Sequence, residues 1–301
     1  MKLPEDGDGL LPLVKPEGPT SHAMVATARR ALGTRRIGHT GTLDPFASGL
    51  LLLCVNRATR LAEYLDGLPK EYEAVARLGQ VTATLDTEGP VVRESESWRT
   101  LEKDRLRQAM ADLVGPGQQR PPAFSAKKVG GEAAYLKARR GETVELAPVP
   151  VEIHELEVLE LDLPHLRFRV LVSTGTYIRA LARDLGETLG VGAHLAALRR
   201  TAIGPFRVGQ GLTPEQLADE AAVASAWISP LEALAHLSRV EVPPEEAARL
   251  ESGQSLPFDA RWAGGVGVEG EPLAVACQDR FLAVATLHKG RLRPRKVFPR
   301  G

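Results

Sequence analysis

The chain has 301 residues, with 38 Lys and Arg against 38 Asp and Glu, and 43% of it is apolar. That composition excludes intrinsic disorder as the dominant state and suits about two domains. The longest uninterrupted apolar run, Leu50 to Val55, falls far short of the roughly 18 to 20 residues of a membrane-spanning helix, and the opening MKLPEDGDGL is acidic where a secretory signal is basic and then apolar. Cys54 and Cys277 belong to no C-x-x-C pair, so reduced thiols and a cytoplasmic address are expected.

Zero net charge conceals segregation. Residues 10–60 carry a net +5, residues 166–207 another +5 and the stretch from Asp279 onward +6, offset by −7 over residues 213–259. Such cations are either solvated surface or parts of one site for a polyanion.

In chain order, Thr20 and Ser21 form an N-cap pair, Met24, Val25, Ala28 and Leu32 fill one helical face, and Gly33 supplies the stop. Gly33, Gly38, Gly41 and Gly49, with Pro45, predict a loop held on a scaffold, followed by a buried strand over Leu50–Val55. Alternation over Glu71–Leu78 predicts a strand with Tyr72, Ala74, Ala76 and Leu78 on its apolar face. Leu106, Ala109, Met110 and Leu113 mark a helix over Thr100–Gly115, and the Gly-, Pro- and cation-rich stretch after it reads as a mobile excursion. Leu166–Val172 alternates as a strand. STGTYIR then turns into a helix with Ile178, Leu181, Ala182, Leu185 and Leu189 on one face and Arg179 and Arg183 on another. Short β-prone runs at Arg239–Val242, Leu273–Cys277, Phe281–Leu287 and Arg295–Phe298 indicate a small β domain from about residue 238. Helices and strands without regular βαβ spacing favour an α+β catalytic domain ahead of it.

Neither phosphate-cradling glycine motif, nor H-E-x-x-H, nor G-x-S-x-G is present, and the seven histidines are scattered, so no cofactor or metal is expected. What stands out is Asp44, the only acid between Glu17 and Glu63. Pro45 pushes it toward extended or turn backbone. Two roles suit it: an N-cap with Pro at the first helical position, or a carboxylate projecting from a loop. Gly38, Gly41 and Gly49 permit close approach of a ligand there, and Arg35, Arg36 and His39 can meet phosphates.

The segment Gly38-His39-Thr40-Gly41-Thr42-Leu43-Asp44-Pro45-Phe46-Ala47-Ser48-Gly49 closely resembles the signature of the bacterial tRNA pseudouridine-55 synthases, the TruB family. Four further motifs extend the likeness over about residues 13 to 207. They are Lys15-Pro16 with Thr20-Ser21; Lys70-Glu71-Tyr72 with Arg77-Leu78-Gly79-Gln80, Thr82, Thr84 and Asp86; Pro121-Pro122 with Ser125-Ala126-Lys127-Lys128, Tyr135 and Ala138-Arg139; and Gly175-Thr176-Tyr177-Ile178-Arg179 with Gly192-Ala193-His194-Leu195 and Leu198-Arg199-Arg200.

The resemblance implies isomerisation of uridine to pseudouridine at position 55 in the T-loop of tRNA, without a cofactor. Asp44 is then the nucleophile, Arg179 its paired cation and Tyr72 the residue that stacks on the base. Leu198, Tyr177, Lys15, Gly41, Thr42 and Leu43 would contact the substrate, with His39 filling the gap left when the base is flipped. Arg35, Arg36, Lys127, Lys128, Arg139, Arg140, Arg199 and Arg200 would meet RNA phosphates. The implied fold is a mixed, largely antiparallel sheet domain over residues 12–237, with a mobile RNA-binding insertion at about 118–146. A PUA-like β-barrel over 238–301 would meet the acceptor stem. Residues 1–11, outside the family pattern, read as a flexible leader, and a monomer is expected. A different class of function, a tRNA-binding folding helper without essential catalysis, would share the basic surface and separate from the enzyme at Asp44.

Overall fold

A computed structural model describes residues 3–4, 7–125, 127–263 and 269–299; Ala126 of the third motif and Arg300 of the basic tail lie outside the described residues. No helix among those residues is long and apolar enough to cross a membrane. The larger domain runs β1 (Gly9–Lys15), α1 (Ser21–Leu32), β2 (Ile37–Thr40), β3 (Ser48–Val55), β4 (Lys70–Leu78), α2 (Lys103–Ala111), β5 (Gly115–Gln119), β6 (Val149–Asp162), β7 (His165–Val172), α3 (Ile178–Leu189) and β8 (Ala193–Ile203). Its sheet has the order β1-β3-β8-β4-β7-β6-β5, with β2 added on β3. All of these pairings are antiparallel except β3 with β8, a short parallel contact of Arg199 with Ser48 and Arg200 with Gly49.

Strands β1 and β3 explain why a near-continuous leucine run was needed. Leu11, Leu13, Leu51 and Leu53 face α1, while Leu10, Leu50, Leu52 and Cys54 face a second core on the opposite side. Both faces are therefore apolar, and alternation disappears from the sequence. The flexible leader is corrected over residues 8–11, residues 1–2 and 5–6 of it lying outside the described residues. Gly9 to Leu11 form the first half of β1, opposite Val55, Cys54 and Leu53, and Leu10 and Leu11 are fully buried. Asp8 is tied down as well, its carboxylate accepting from the Arg57 backbone at 2.7 Å and from Arg57 Nε at 2.5 Å.

The loop expected from Gly33 to Gly49 contains β2, which the β-branched Ile37 and Thr40 anchor against β3. Helix α1 keeps its expected limits: the Thr20 side chain accepts from the Ala23 amide, and Gly33 closes the helix at φ 67°. Helix α2 is shorter than Thr100–Gly115, because Ser97–Thr100 first form a separate 3-10 turn. Strands β6 and β8 were not foreseen; β6 leaves much of its length exposed, and β8 packs between two strands distant in sequence.

The smaller domain comprises β9 (Ser238–Glu241), α4 (Pro244–Glu251), β10 (Leu256–Pro257), β11 (Pro272–Cys277), β12 (Arg280–His288) and β13 (Arg291–Val297). Its strands follow the order β9-β11-β12-β13-β10 and curl into a half-barrel around Val240, Leu250, Val275, Leu282 and Leu292. The domains share a core. Leu10, Leu61 and Leu65 of the first pack with Phe281, Val284 and Phe298 of the second.

Candidate active site

Asp44 sits in a turn closed by the Ala47 amide donating to its carbonyl at 3.1 Å. No helix starts at Pro45, so the capping alternative is excluded. Three residues near the start of the chain hold this turn. Lys15 Nζ donates to the carbonyls of Pro16 at 2.8 Å, Pro45 at 3.1 Å and Ala47 at 2.6 Å. Ser21 Oγ donates to the Leu43 carbonyl at 3.0 Å and accepts from the Leu43 amide at 2.9 Å. The Gly18 amide reaches the Pro45 carbonyl at 2.8 Å. Lys15 is fully buried on these carbonyls and does not line the cavity. Its expected substrate contact is corrected to a scaffolding role.

The turn aims the Asp44 carboxylate at Arg179, whose Nε lies 2.9 Å from Asp44 Oδ2. Arg179 is in the first turn of α3 and only 4% exposed. Its Nη1 approaches Asp86 Oδ2 at 3.3 Å and donates to the Thr84 carbonyl at 2.9 Å, and Nη2 donates to the Phe124 carbonyl at 2.9 Å. One guanidinium thus links the signature turn, the segment after β4 and the start of the insertion. Asp86 is 2% exposed and also accepts from Thr84 Oγ1 and from the Glu88 amide at 3.0 Å. Burial pushes the Asp44 carboxyl above the usual aspartate range; Arg179 pulls it back, and Asp86 pushes it up again. The cation therefore limits a shift that desolvation dominates, rather than depressing the value outright.

Asp44 and Arg179 open on a cavity of about 300 Å³, also lined by Gly41, Thr42, Leu43, Lys70, Tyr72, Tyr177, Leu198 and Arg200. That volume suits a single nucleoside-sized ligand. Strand register builds its floor. Tyr72 on β4 lies opposite Arg200 on β8, and Ala74 opposite Leu198, so alternation sends Lys70 and Tyr72 to one face. Tyr177 lies at the α3 N-terminus, where its amide donates to Gln119 Oε1 at 2.8 Å and burial raises its phenol pKa.

His39 stands on β2, half-buried and outside the cavity lining; desolvation, then the neighbouring Arg200, keeps its imidazole toward the neutral form. The expected RNA cations divide. Arg35, Arg36, Lys127, Lys128, Arg139 and Arg199 are exposed, and Arg140 is exposed but paired with Glu132 and Glu142 at 2.7 Å each. Arg200 differs from them: it is 1% exposed and lines the cavity, with Nε donating to the Leu50 carbonyl at 2.8 Å and Nη2 to the Gly41 carbonyl at 3.0 Å. Much of the positive charge over residues 166–207 is likewise used internally, Arg167 on Glu73, Arg169 on Glu71, Glu155 and Glu157, and Arg183 on Asp184.

Sequence reasoning placed Lys70 and Asp86 inside a motif but gave neither a role. Asp86 has no local signal beyond being an acid after two threonines, and only its contact with Arg179 sets it apart.

Comparison with known proteins agrees with this geometry. Residues 29–178 match the model of the TruB family pseudouridylate synthase N-terminal domain, and residues 179–243 that of the tRNA pseudouridylate synthase B C-terminal domain. The chain is 43% identical over 288 residues to a tRNA pseudouridine synthase B from Arthrobacter sp. (strain FB24), covering 92% of this chain and 89% of that one. It is 39% identical over 303 residues to the corresponding protein of Geobacillus thermodenitrificans, covering 97% and 99%. Among solved structures, the archaeal box H/ACA sRNP Nop10–Cbf5 complex matches with a TM-score of 0.73 and 28% identity, over 97% of this chain and 86% of that one. An H/ACA RNP bound to a substrate RNA containing 2′-deoxyuridine matches at 0.74 and 26% identity, over 97% and 85%. The fold, the cavity and these likenesses agree: the chain belongs to the TruB family of pseudouridine synthases, which are isomerases.

Proposed function

We propose that the chain converts uridine to pseudouridine at position 55 in the T-loop of tRNA. The observation that carries this reading is the Asp44–Arg179 pair at 2.9 Å on the wall of a nucleoside-sized cavity floored by Tyr72 and Leu198. The target nucleotide must leave its stack to reach that cavity, at a cost of a few kcal/mol. Asp44, ionised, then attacks at the ribose anomeric carbon. The C1′–N1 bond breaks as the Asp44 oxygen bonds to C1′, the freed base turns over Tyr72, C5 bonds to C1′ as the Asp44–C1′ bond breaks and frees the carboxylate, and the proton on C5 leaves while N1 gains one. Nothing is oxidised or reduced overall, so the reaction needs no electron carrier. Leu198 bounds the uracil, and Tyr72 is placed to stack on it and to move the C5 proton.

In this reading His39 occupies the space the base vacates. Lys127, Lys128 and Arg139 on the insertion, with Arg35, Arg36 and Arg199, meet backbone phosphates, and the half-barrel domain reaches the acceptor stem. The insertion, a short hairpin and the helix Ala134–Arg139, closes on the RNA and is mobile without it.

The test is tritium release from uridine labelled at carbon 5 in a T-arm transcript. Wild type should release it, whereas Asp44→Asn should release none yet bind the RNA within a few-fold. Release by Asp44→Asn at the wild-type rate would remove Asp44 as nucleophile, and no release by wild type would remove the substrate.

A further inference from the structure

The mechanism above leaves one buried, charged group without a task. Lys70 begins β4, is 6% exposed and lines the cavity. Its Nζ donates to the carbonyls of Asp66 and Leu68 at 3.0 Å each, and to Thr174 Oγ1 at 3.3 Å. All three acceptors are neutral, and among the described residues no carboxylate forms an ion pair with it. Another cation lies close by. A side chain on Gly41 would put its Cβ 3.3 Å from Lys70 Cε and 3.4 Å from Arg200 Nη1, which brings those two atoms within about 7 Å of each other. Burial and the Arg200 charge, opposed by Asp66, pull the Lys70 ammonium down to about 8.

A buried lysine beside a buried arginine, neither of them in an ion pair among the described residues, costs folding free energy unless an anion arrives in the working state. The two groups are held differently. Arg200 is fixed to the Leu50 and Gly41 carbonyls through Nε and Nη2, which leaves Nη1 outside those two bonds. Lys70 is fixed by two backbone carbonyls, and its third proton goes to the longest of its contacts, an exposed threonine hydroxyl at the cavity edge. That hydroxyl can yield its place to an incoming oxygen. The cavity lining therefore holds Asp44, already paired with Arg179, and two further cations that form no ion pair among the described residues. A nucleotide has the matching polarity: its anomeric carbon must face Asp44, and its phosphodiesters lie on the far side of the sugar.

We propose that Lys70 and Arg200 form a phosphate subsite of the catalytic cavity, taking one of the two phosphodiesters that flank the everted uridine. This rests on the RNA substrate proposed above. The subsite would capture the nucleotide by its backbone whatever the base, leaving Tyr72 and Leu198 to read the uracil, and would draw the sugar down onto Asp44.

The experiment uses the full chain and T-arm RNA carrying a single neutral methylphosphonate, placed on either side of the target uridine, with single-turnover tritium release and RNA binding measured in parallel. On unmodified RNA, Lys70→Met should weaken binding about tenfold and Lys70→Arg should keep most of it. One of the two methylphosphonates should weaken wild-type binding by a similar factor and leave Lys70→Met unchanged. Losses that multiply at both positions, or a Lys70→Met binding constant equal to wild type, would overturn the subsite in favour of Lys70 as a purely structural residue or a donor to a base carbonyl. Should Lys70→Met fold poorly, wild type alone decides, because indifference to both methylphosphonates also overturns the proposal. Failure of wild type to convert unmodified RNA would instead remove the substrate reading, and the subsite with it.

Discussion

Arg179 shows how much one side chain carries when a strand-to-helix turn buries it. It pairs with Asp44 and with Asp86 and caps two carbonyls, so its position is over-determined before any ligand enters. Asp86 has two opposed effects on the nucleophile: it fixes the guanidinium and repels the Asp44 charge. Asp86→Asn should therefore lower kcat about tenfold or more while changing KM little, since the loss is one of orientation. A pH profile of kcat/KM should show activity disappearing as pH falls through the Asp44 pKa, at a value above the ordinary aspartate range because burial raises it. In Asp86→Asn that acid limb should move to lower pH, the repulsion having gone. An unshifted limb would show that Asp86 does not act on Asp44 electrostatically.

Among the elements, the parallel contact between β3 and β8 positions the floor of the site, and Gly49 makes it possible. Gly49 has φ 108°, and a Cβ there would stand 2.2 Å from the Arg200 carbonyl oxygen and 2.7 Å from its amide nitrogen. Backbone cannot step aside as a flexible side chain would. Gly49→Ala should cost about 3 kcal/mol or more in a denaturant titration and should lower activity through displacement of Arg200 and Leu198. Helix α1 and Tyr72 were legible in the sequence, since a capping threonine, a terminal glycine and a period of two are local signals. Strand β8 was not, because its partners β3 and β4 are more than a hundred residues away and no local pattern names them.

At the scale of the molecule, the half-barrel is joined to the catalytic domain by a continuous apolar core rather than a tether. Phe298 packs edge-on to Phe281 with ring centroids 5.0 Å apart, and the guanidiniums of Arg57 and Arg60 lie 5.9 and 5.6 Å from its centroid. Arg60 Nη1 also holds the Val297 carbonyl at 2.8 Å, and Lys296 reaches Glu63 at 2.8 Å. Calorimetry should show one cooperative transition for the chain, and Phe298→Ala should cost about 3 to 5 kcal/mol by opening a cavity in the shared core. Two separate transitions would show that the domains unfold independently.

What the sequence by itself determined was the family, the α+β order of elements, the identity of the signature turn and the apolar faces of the strands that alternate. Each of these is written in neighbouring residues or in residue types at fixed spacing. The tertiary structure alone decided that Arg200 and Lys15 are buried struts, that Asp86 belongs beside Arg179, and that residues 9–11 complete the sheet. Burial and ion pairing are set by segments that meet only after the chain has closed on itself, and a basic residue reads the same in sequence whether its charge ends on a carbonyl, a carboxylate or in water.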